Sequence, residues 1–145
     1  KKKFSKEIFK RYHKGGSLGK NLLLVKDIMT SGKKIPTIDK NKTIGDAAKV
    51  ISAKKLGLVL VMNKNKLISI ATDGDCRRSL AKFSKNDKIE KIANRNPFKI
   101  NEDTTAYKAL SIMNQKKITS LIVSSKSGKI KGICHIHHLL SHGIK

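Results

Sequence analysis

The sequence has no tryptophan, and aromatic residues make up only 4% of it. Because aromatic side chains form the stacking platform for unpaired bases, this composition argues against such a platform. Only two cysteines are present, Cys76 and Cys134. Their spacing fits no metal site, so we expect reduced thiols of a cytoplasmic protein. No apolar run approaches the ~20 residues that span a bilayer, and no signal peptide is visible, so no membrane partner is expected.

Acidic residues are also scarce, with 10 against 33 lysines and arginines and a net charge of +23. A basic excess of this kind can indicate a nucleic-acid partner. Arginine, which reads phosphates and guanine edges, supplies only four of the cations, and the lysines are scattered along the chain. We therefore interpret the charge as a solvated lysine-rich surface with no specific nucleic acid. A basic nucleic-acid-binding module is the alternative, and its affinity would fall steeply with salt.

One pattern occurs twice in the 145 residues. Shifted by 62 positions, residues 47–56 match residues 109–118 in their apolar spacing. One extra residue near Gly128 raises the shift to 63, and residues 67–70 then match residues 130–133. Because the agreement extends over whole elements, it indicates an internal repeat.

Each repeat has the same order of local signals. A Pro-flanked extended stretch comes first, followed by an amphipathic helix, two runs of β-forming residues separated by a turn, and a closing helix. In the first repeat, Thr43 and Asp46 have the spacing of a capping box. The pattern predicts an α+β fold of two βαββα units related by an approximate twofold axis, with their sheets face to face and clefts between them.

This order of elements resembles a CBS domain pair, and the motifs are most similar to the regulatory region of the arabinose-5-phosphate isomerase family. The matching strings are HKGGSLGKNLL at 13–23, KDIM at 26–29, TDGDCRR at 72–78, KITS at 117–120 and HIHHLL at 135–140. Members of that family carry a sugar-isomerase (SIS) domain followed by two CBS domains. The resemblance implies that residues 1–24 are the tail of a missing SIS domain and a linker, residues 25–85 CBS domain 1, and residues 89–145 CBS domain 2.

The same resemblance implies a regulatory module that senses a nucleotide or sugar nucleotide. AMP, ATP or a CMP-sugar is the expected effector, and no cofactor is expected. The parent enzyme would be a cytoplasmic aldose-ketose isomerase of the Kdo and lipopolysaccharide pathway. It would be a tetramer, with the CBS pair forming a homodimer. His13 falls on a histidine of the family's isomerase active site, so it would be catalytic only within an intact parent enzyme.

The strongest site candidate combines Thr72 with Asp75. A carboxylate can accept from two ribose hydroxyls, while a helix N-terminus and a threonine hydroxyl attract phosphate. The T-x-x-D pattern is similar to the nucleotide-binding signature of CBS modules. Capping of the helix is the competing interpretation, and it can coexist with binding. The remaining residues of the predicted ligand-binding set are Ile35, Pro36, Thr37, Gly57, Leu58, Val59, Asp73, Arg77 and Arg78.

Some members of this set have simpler interpretations. Gly57 could be the left-handed residue that ends the preceding helix after Leu56. Arg77 and Arg78 could be ordinary surface cations. For both arginines, contact with a ligand phosphate or sugar acid is the functional alternative.

The second repeat departs from the T-x-x-D pattern, since His135 and His138 stand where the first repeat has Thr72 and Asp75. An imidazole cannot copy a carboxylate that holds a diol, so we expect this cleft to be empty or to face an anion. The predicted second-cleft residues are Pro97, Thr119, Ser120, His135 and His138. His138 and His142 have a spacing found in zinc sites, but no third ligand lies close in sequence, so no metal is predicted.

Overall fold

The computed structural model describes residues 22–145, which contain the two βαββα repeats predicted from the sequence. His13 lies outside the described residues, as do positions 1–21 of the predicted linker segment. In chain order, the helices and strands are α1 (Val25–Ile28), β1 (Thr37–Asp39), α2 (Ile44–Lys54), β2 (Leu58–Asn63), β3 (Lys66–Thr72), α3 (Asp73–Ser79), β4 (Lys99–Asn101), α4 (Ala106–Lys116), β5 (Ser120–Ser124), β6 (Ile130–His135) and α5 (Ile136–Ser141). Short 3-10 helices lie at Gly32–Lys34 and Ile89–Lys91. The predicted α+β class is confirmed.

The described residues divide into two compact units. The first unit is Lys33–Pro97, and the second unit joins residues 22–32 to Phe98–Lys145. Helix α1 therefore packs with the second repeat, although it precedes the first repeat in the sequence. None of the helices in this part of the chain is long and apolar enough to cross a membrane.

In the first unit, β2 is the central strand, with β1 parallel on one side and β3 antiparallel on the other. Helix α2 buries Ile44, Ala47 and Ile51, which recur at helical intervals. The predicted capping box opens this helix, since Thr43 Oγ1 accepts from the Asp46 N–H at 3.1 Å and Asp46 Oδ2 accepts from the Thr43 N–H at 3.1 Å. These hydrogen bonds lower the pKa of the Asp46 carboxyl.

The second unit has the same topology, with β5 between parallel β4 and antiparallel β6. Its hydrophobic cluster draws on both chain segments that form the unit. The buried members are Leu23, Val25, Ile28, Ile100, Ala106, Ala109, Leu110, Met113, Leu121, Val123, Cys134, Leu139 and Ile144. Burial raises the pKa of the Cys134 thiol to about 12, so this cysteine is an inert part of the core.

Each sheet is completed by the segment that precedes the other repeat. Thr30 pairs with Ile133 of β6 through two backbone hydrogen bonds of 2.9 and 2.8 Å. Asn94 pairs with Ile70 of β3 through bonds of 2.7 and 3.0 Å. A fragment cut at the repeat boundary would therefore lose a backbone partner of its own sheet.

Gly132 of β6 allows the segment before Gly32 to approach the sheet closely. A Cβ at Gly132 would overlap the Thr30 carbonyl oxygen and lie 2.7 Å from Met29 Sδ. In the first repeat, the positions equivalent to Gly132 and Met29 are Ser69 and Ala93. The unit with the larger Met29 in the added segment thus has glycine on the strand, and the unit with the smaller Ala93 has serine there. Space, and not an unusual φ, makes glycine necessary at this position.

The two long helices end on lysines in the left-handed region. Lys55 follows α2 with φ 60°, and Lys117 follows α4 with φ 57°. The interpretation of Gly57 as the helix-ending residue is wrong, since Lys55, two residues earlier, already occupies that position. Gly57 does have a φ of 78°, but it lies in the turn that leads into β2.

Replacing Lys55 or Lys117 with glycine is expected to raise the free energy of unfolding by about 0.5–1 kcal/mol each. Glycine adopts the left-handed conformation without the Cβ strain that lysine carries there. Urea unfolding followed by circular dichroism measures the change. Lys49→Gly, at an exposed interior position of α2, is the matched control and should lower stability by about 1 kcal/mol. Equal losses in all three variants would contradict the left-handed assignment.

Candidate functional site

Three predicted segments meet at one edge of the sheet in the first unit. Strands β1 and β2 are parallel and begin at this edge, whereas β3 is antiparallel and ends there. Leu58 pairs with Thr72, and the Asp73 N–H donates to the Gly57 carbonyl at 3.0 Å. The Pro36 carbonyl accepts from the backbone of β2 at 2.9 Å. The strand that follows Pro36, the start of β2 and the start of α3 therefore lie side by side.

The side chains at this edge differ in what they can offer a ligand. Pro36, Leu58 and Val59 are buried, and Val59 packs into the hydrophobic cluster of the unit. These three residues can provide shape and backbone groups but little side-chain contact. Thr72 and Asp75 are only half-buried, so they carry the polar chemistry of the edge.

Thr72 and Asp75 form a capping box at the start of α3. Thr72 Oγ1 accepts from the Asp75 N–H at 3.0 Å, and Asp75 Oδ2 accepts from the Thr72 N–H at 2.9 Å. The capping interpretation is therefore the geometry that the structure shows. It leaves the Thr72 hydroxyl proton and the second carboxylate oxygen of Asp75 available for other hydrogen bonds.

The second oxygen of Asp75 is paired with an arginine. Arg78 Nη2 donates to Asp75 Oδ1 at 2.9 Å, and the guanidinium also lies over the backbone of Gly74. Arg77 makes the corresponding bond to Asp73 at 2.9 Å. The Arg78 side chain is 73% exposed, so this ion pair contributes little to stability and the guanidinium can turn towards another anion.

In the second repeat, histidines take over the capping positions. Ser120 pairs with His135 as Leu58 pairs with Thr72, which places His135 in the position of the threonine. His135 Nδ1 accepts from the His137 N–H at 3.1 Å, and His138 Nδ1 accepts from the His135 N–H at 3.0 Å. Both rings thus serve as hydrogen-bond acceptors of the helix cap.

Burial lowers the pKa of His135 and of His138, and the positive charge of neighbouring histidines lowers both further. The two rings are therefore favoured in their neutral form. No carboxylate stands at the edge of this unit in the position of Asp75. The second edge consequently lacks the anionic acceptor that a ribose diol requires.

The other predicted second-edge residues occupy equivalent but chemically different positions. The Thr119 carbonyl accepts from the N–H at the start of α5 at 2.8 Å, as the carbonyl of Gly57 does at the start of α3. By strand register, Phe98 stands in the position of Pro36, so the two prolines of the sequence are not equivalent. Among residues 22–145, no group of three histidine, cysteine or acidic side chains could hold a metal ion.

Two features of the site were not predicted from the sequence. The ion pair between Arg78 and Asp75 has a common helical spacing, which does not distinguish a pair from two solvated charges. The contact between His138 Nε2 and Thr30 Oγ1, at 3.3 Å, joins residues far apart in the chain. No local sequence pattern relates these two residues, so nothing in the sequence indicates the contact.

The sequence profile of the CBS domain matches residues 25–82 and 89–145, and the chain therefore belongs to the CBS domain family. Among its relatives, the arabinose 5-phosphate isomerase KdsD of Francisella tularensis is 37% identical over 142 residues. That match covers 96% of this chain and 43% of the enzyme. The chain thus spans less than half the length of the curated relatives that it matches.

Solved structures of CBS proteins share the fold. The CBS domain pair of protein MJ0100, in complex with 5'-methylthioadenosine and S-adenosyl-L-methionine, has a TM-score of 0.72 and 25% identity, covering 83% of this chain and 94% of that chain. The CBS domain protein PAE2072 of Pyrobaculum aerophilum, complexed with AMP, has a TM-score of 0.71 and 18% identity, covering 80% and 89%. The resemblance deduced from the sequence motifs is confirmed.

Proposed function

We propose that this chain is the nucleotide- or sugar-nucleotide-sensing regulatory module of an arabinose-5-phosphate isomerase-like enzyme. The observation that carries the proposal is the convergence of Thr72, Asp75 and Arg78 at one sheet edge of a CBS domain pair. The sequence similarity between this chain and KdsD supports the choice of parent enzyme. The adenosine-containing ligands of MJ0100 and PAE2072 support the ligand class.

The ligand chemistry follows from the groups that the capping box leaves available. Asp75 Oδ1 accepts from the ribose hydroxyls, and it can do so while Arg78 turns to a phosphate. The Thr72 oxygen already accepts a backbone N–H, so its own proton is donated to the ligand. The N–H groups of Thr72, Asp73 and Asp75 are all hydrogen-bonded within the protein. With these three groups occupied, Arg78 is the group that we expect to bind a phosphate.

The wider role extends this proposal to the parent protein. A sugar nucleotide such as CMP-Kdo, made downstream of arabinose 5-phosphate, would give end-product feedback in lipopolysaccharide synthesis. The parent would be a cytoplasmic tetramer whose CBS pairs form dimers, and His13 would act in its isomerase domain. The first repeat would be CBS domain 1 within residues 25–85, and the second would be CBS domain 2 within residues 89–145.

A thermal-shift panel of adenosine, AMP, ATP, CMP and CMP-Kdo tests the proposal. A ligand at a hundredfold excess over its Kd is expected to stabilise the chain by about 2.7 kcal/mol, which raises the midpoint by several degrees. The phosphate-bearing members should stabilise more than adenosine, since adenosine is the one member without a phosphate for Arg78. No shift with any member at millimolar concentration would overturn the proposal.

The salt dependence of binding distinguishes this function from the binding of polyanions by a chain with a net charge of +23. Binding to a phosphate backbone releases counterions and weakens by orders of magnitude as salt rises. A single nucleotide held at the Thr72–Asp75 edge should lose far less affinity between 50 and 200 mM salt, on the order of tenfold or below. A steep loss for AMP equal to that of a DNA duplex would favour the nucleic-acid alternative.

A further inference from the structure

The histidine cap of α5 is linked to the segment that completes the sheet of the second unit. His138 Nδ1 accepts from the His135 N–H, and its Nε2 lies 3.3 Å from Thr30 Oγ1. Thr30 is itself paired with Ile133 through two backbone hydrogen bonds. One imidazole ring therefore holds both the start of α5 and the residue that joins this segment to β6.

The hydrogen bonds define the tautomer of both rings. A backbone N–H can only donate, so the Nδ1 atom that faces it must present a lone pair. The single proton of neutral His138 is therefore on Nε2, where it is donated to Thr30 Oγ1. His135 likewise accepts from the His137 N–H through Nδ1 and carries its proton on Nε2.

We propose that His135 and His138 form a pH-sensitive latch, which in the neutral state caps α5 and holds Thr30 on β6, and which opens on mild acidification. A solvent proton binds Nδ1 of His138, and the bond from the His135 N–H is lost. The new Nδ1–H group and the His135 N–H are then two donors that face each other. The ring must then turn, and the contact with Thr30 is lost with it. Protonation of His135 removes the bond from the His137 N–H in the same way.

The surroundings of the rings favour this response. Burial is the main cause that lowers the pKa of His138, followed by the charges of His135, His142 and His137. Helix α4 packs against α5, and the segment that contains Thr30 packs against β6. The ionisable groups on these two elements are Lys26, Asp27, Tyr107, Lys108 and Lys116. The electrostatic influences on the ring come from the three histidines and not from these groups.

The sign of the effect follows from the lowered pKa values. A folded-state pKa below that of the unfolded chain means that the unfolded chain binds more protons as the pH falls. The latch therefore contributes its full stability above the unfolded histidine value near pH 6.5. That stability is lost progressively as the pH falls below this value and through the folded-state pKa of the two rings.

The first repeat provides an internal control, because it has the same cap built from Thr72 and Asp75. A hydroxyl and a carboxylate remain acceptors where imidazole has become a donor. The pair Asn94–Ile70 likewise completes the first sheet without a histidine. Acidification through the histidine range should thus act on one unit and spare the other.

Amide hydrogen exchange of the 145-residue chain at pH 7.5, 6.5 and 5.5, expressed as protection factors, tests the latch. Protection of the Thr30, Ile133 and His135 amides should fall roughly tenfold for each pKa unit by which folding depresses the pKa. Protection of the Thr72 and Asn94 amides should stay constant. Unchanged protection at Thr30 across this range would overturn the proposal, as would an Nδ1-protonated His138 in a nitrogen-15 ring spectrum at pH 7.5.

A double variant, His135→Thr with His138→Asp, gives α5 the same capping residues as α3. It should fold, because the backbone at the start of α5 already has the capping-box geometry. Its Thr30 and Ile133 amides should show no change in protection between pH 7.5 and 5.5. A pH response that survives in this variant would mean that another group, and not the histidine pair, controls the segment.

Discussion

Replacing Gly132 with alanine is expected to lower the free energy of unfolding by about 1–3 kcal/mol. The added Cβ would overlap the carbonyl oxygen of Thr30 and press against Met29 Sδ. The methionine side chain can move aside at small cost, but the carbonyl belongs to the backbone that pairs with Ile133. The segment must therefore retreat from β6. Urea unfolding measures the loss, and faster exchange of the Thr30 amide locates it.

The equivalent residue of the first repeat supplies the matched control. Ser69 is buried and already carries a Cβ, and the position equivalent to Met29 is the smaller Ala93. Ser69→Ala should therefore change stability by no more than about 0.5 kcal/mol. If Gly132→Ala is as stable as the parent chain and its Thr30 amide stays protected, the close approach of the two backbones is not a constraint on this position.

The order of elements could be predicted because it depends on local patterns. Helix α2 has apolar residues at helical intervals and a capping pair at Thr43 and Asp46, and both signals act within a few residues of one another. The pairing of Thr30 with Ile133 joins positions on opposite sides of the first repeat, and no periodicity encodes such a contact. The need for glycine at position 132 follows from that contact, so it was equally invisible.

The left-handed helix ends show a different limit of sequence patterns. Glycine or asparagine usually occupies such positions, and the sequence interpretation accordingly chose Gly57. The structure has lysine there in both repeats, and Lys64 in the β2–β3 turn also has a positive φ of 58°. Lysine thus stands where local conformation would not select it. This placement favours a general bias towards lysine over selection of each cation for a partner.

The site was predictable to the extent that strand direction determined it. Parallel β1 and β2 place their starting residues at one edge, so the segments near Pro36, Gly57 and Thr72 had to meet once the topology was correct. The alignment of the repeats likewise placed His138 at the position of Asp75. It did not show that the histidine accepts a backbone N–H, because that role depends on ring orientation and tautomer.

The strongest expected effect on binding comes from Asp75→Ala. Its carboxylate is the acceptor that the T-x-x-D pattern places at the sheet edge of the first unit, and it is half-buried whereas the neighbouring Asp73 is exposed. Hydrogen bonds to a charged group contribute about 1.5–3 kcal/mol, so nucleotide affinity should fall roughly 10- to 150-fold. Isothermal titration calorimetry with the best ligand of the panel measures the change.

A loss of helix capping could imitate this result, and Asp46→Ala separates the two causes. Asp46 occupies the same capping-box position in α2 as Asp75 does in α3, but it is not among the residues at the sheet edge. Both variants should lose about 0.5–2 kcal/mol of stability through the cap. Only Asp75→Ala should lose affinity. Equal affinity losses in the two variants would assign the effect to folding and not to ligand contact.

His138→Ala completes the comparison between the two repeats. His135 and His138 each accept a backbone N–H through Nδ1, and their lowered pKa values favour the neutral form, so neither ring offers a charged acceptor to a ribose diol. The variant should lose stability but leave nucleotide affinity within about twofold of the parent chain. One ligand should bind per chain, because only the first repeat retains a carboxylate at its edge. A stoichiometry of two, or an affinity loss in His138→Ala equal to that in Asp75→Ala, would show that the second repeat binds nucleotide through its histidines.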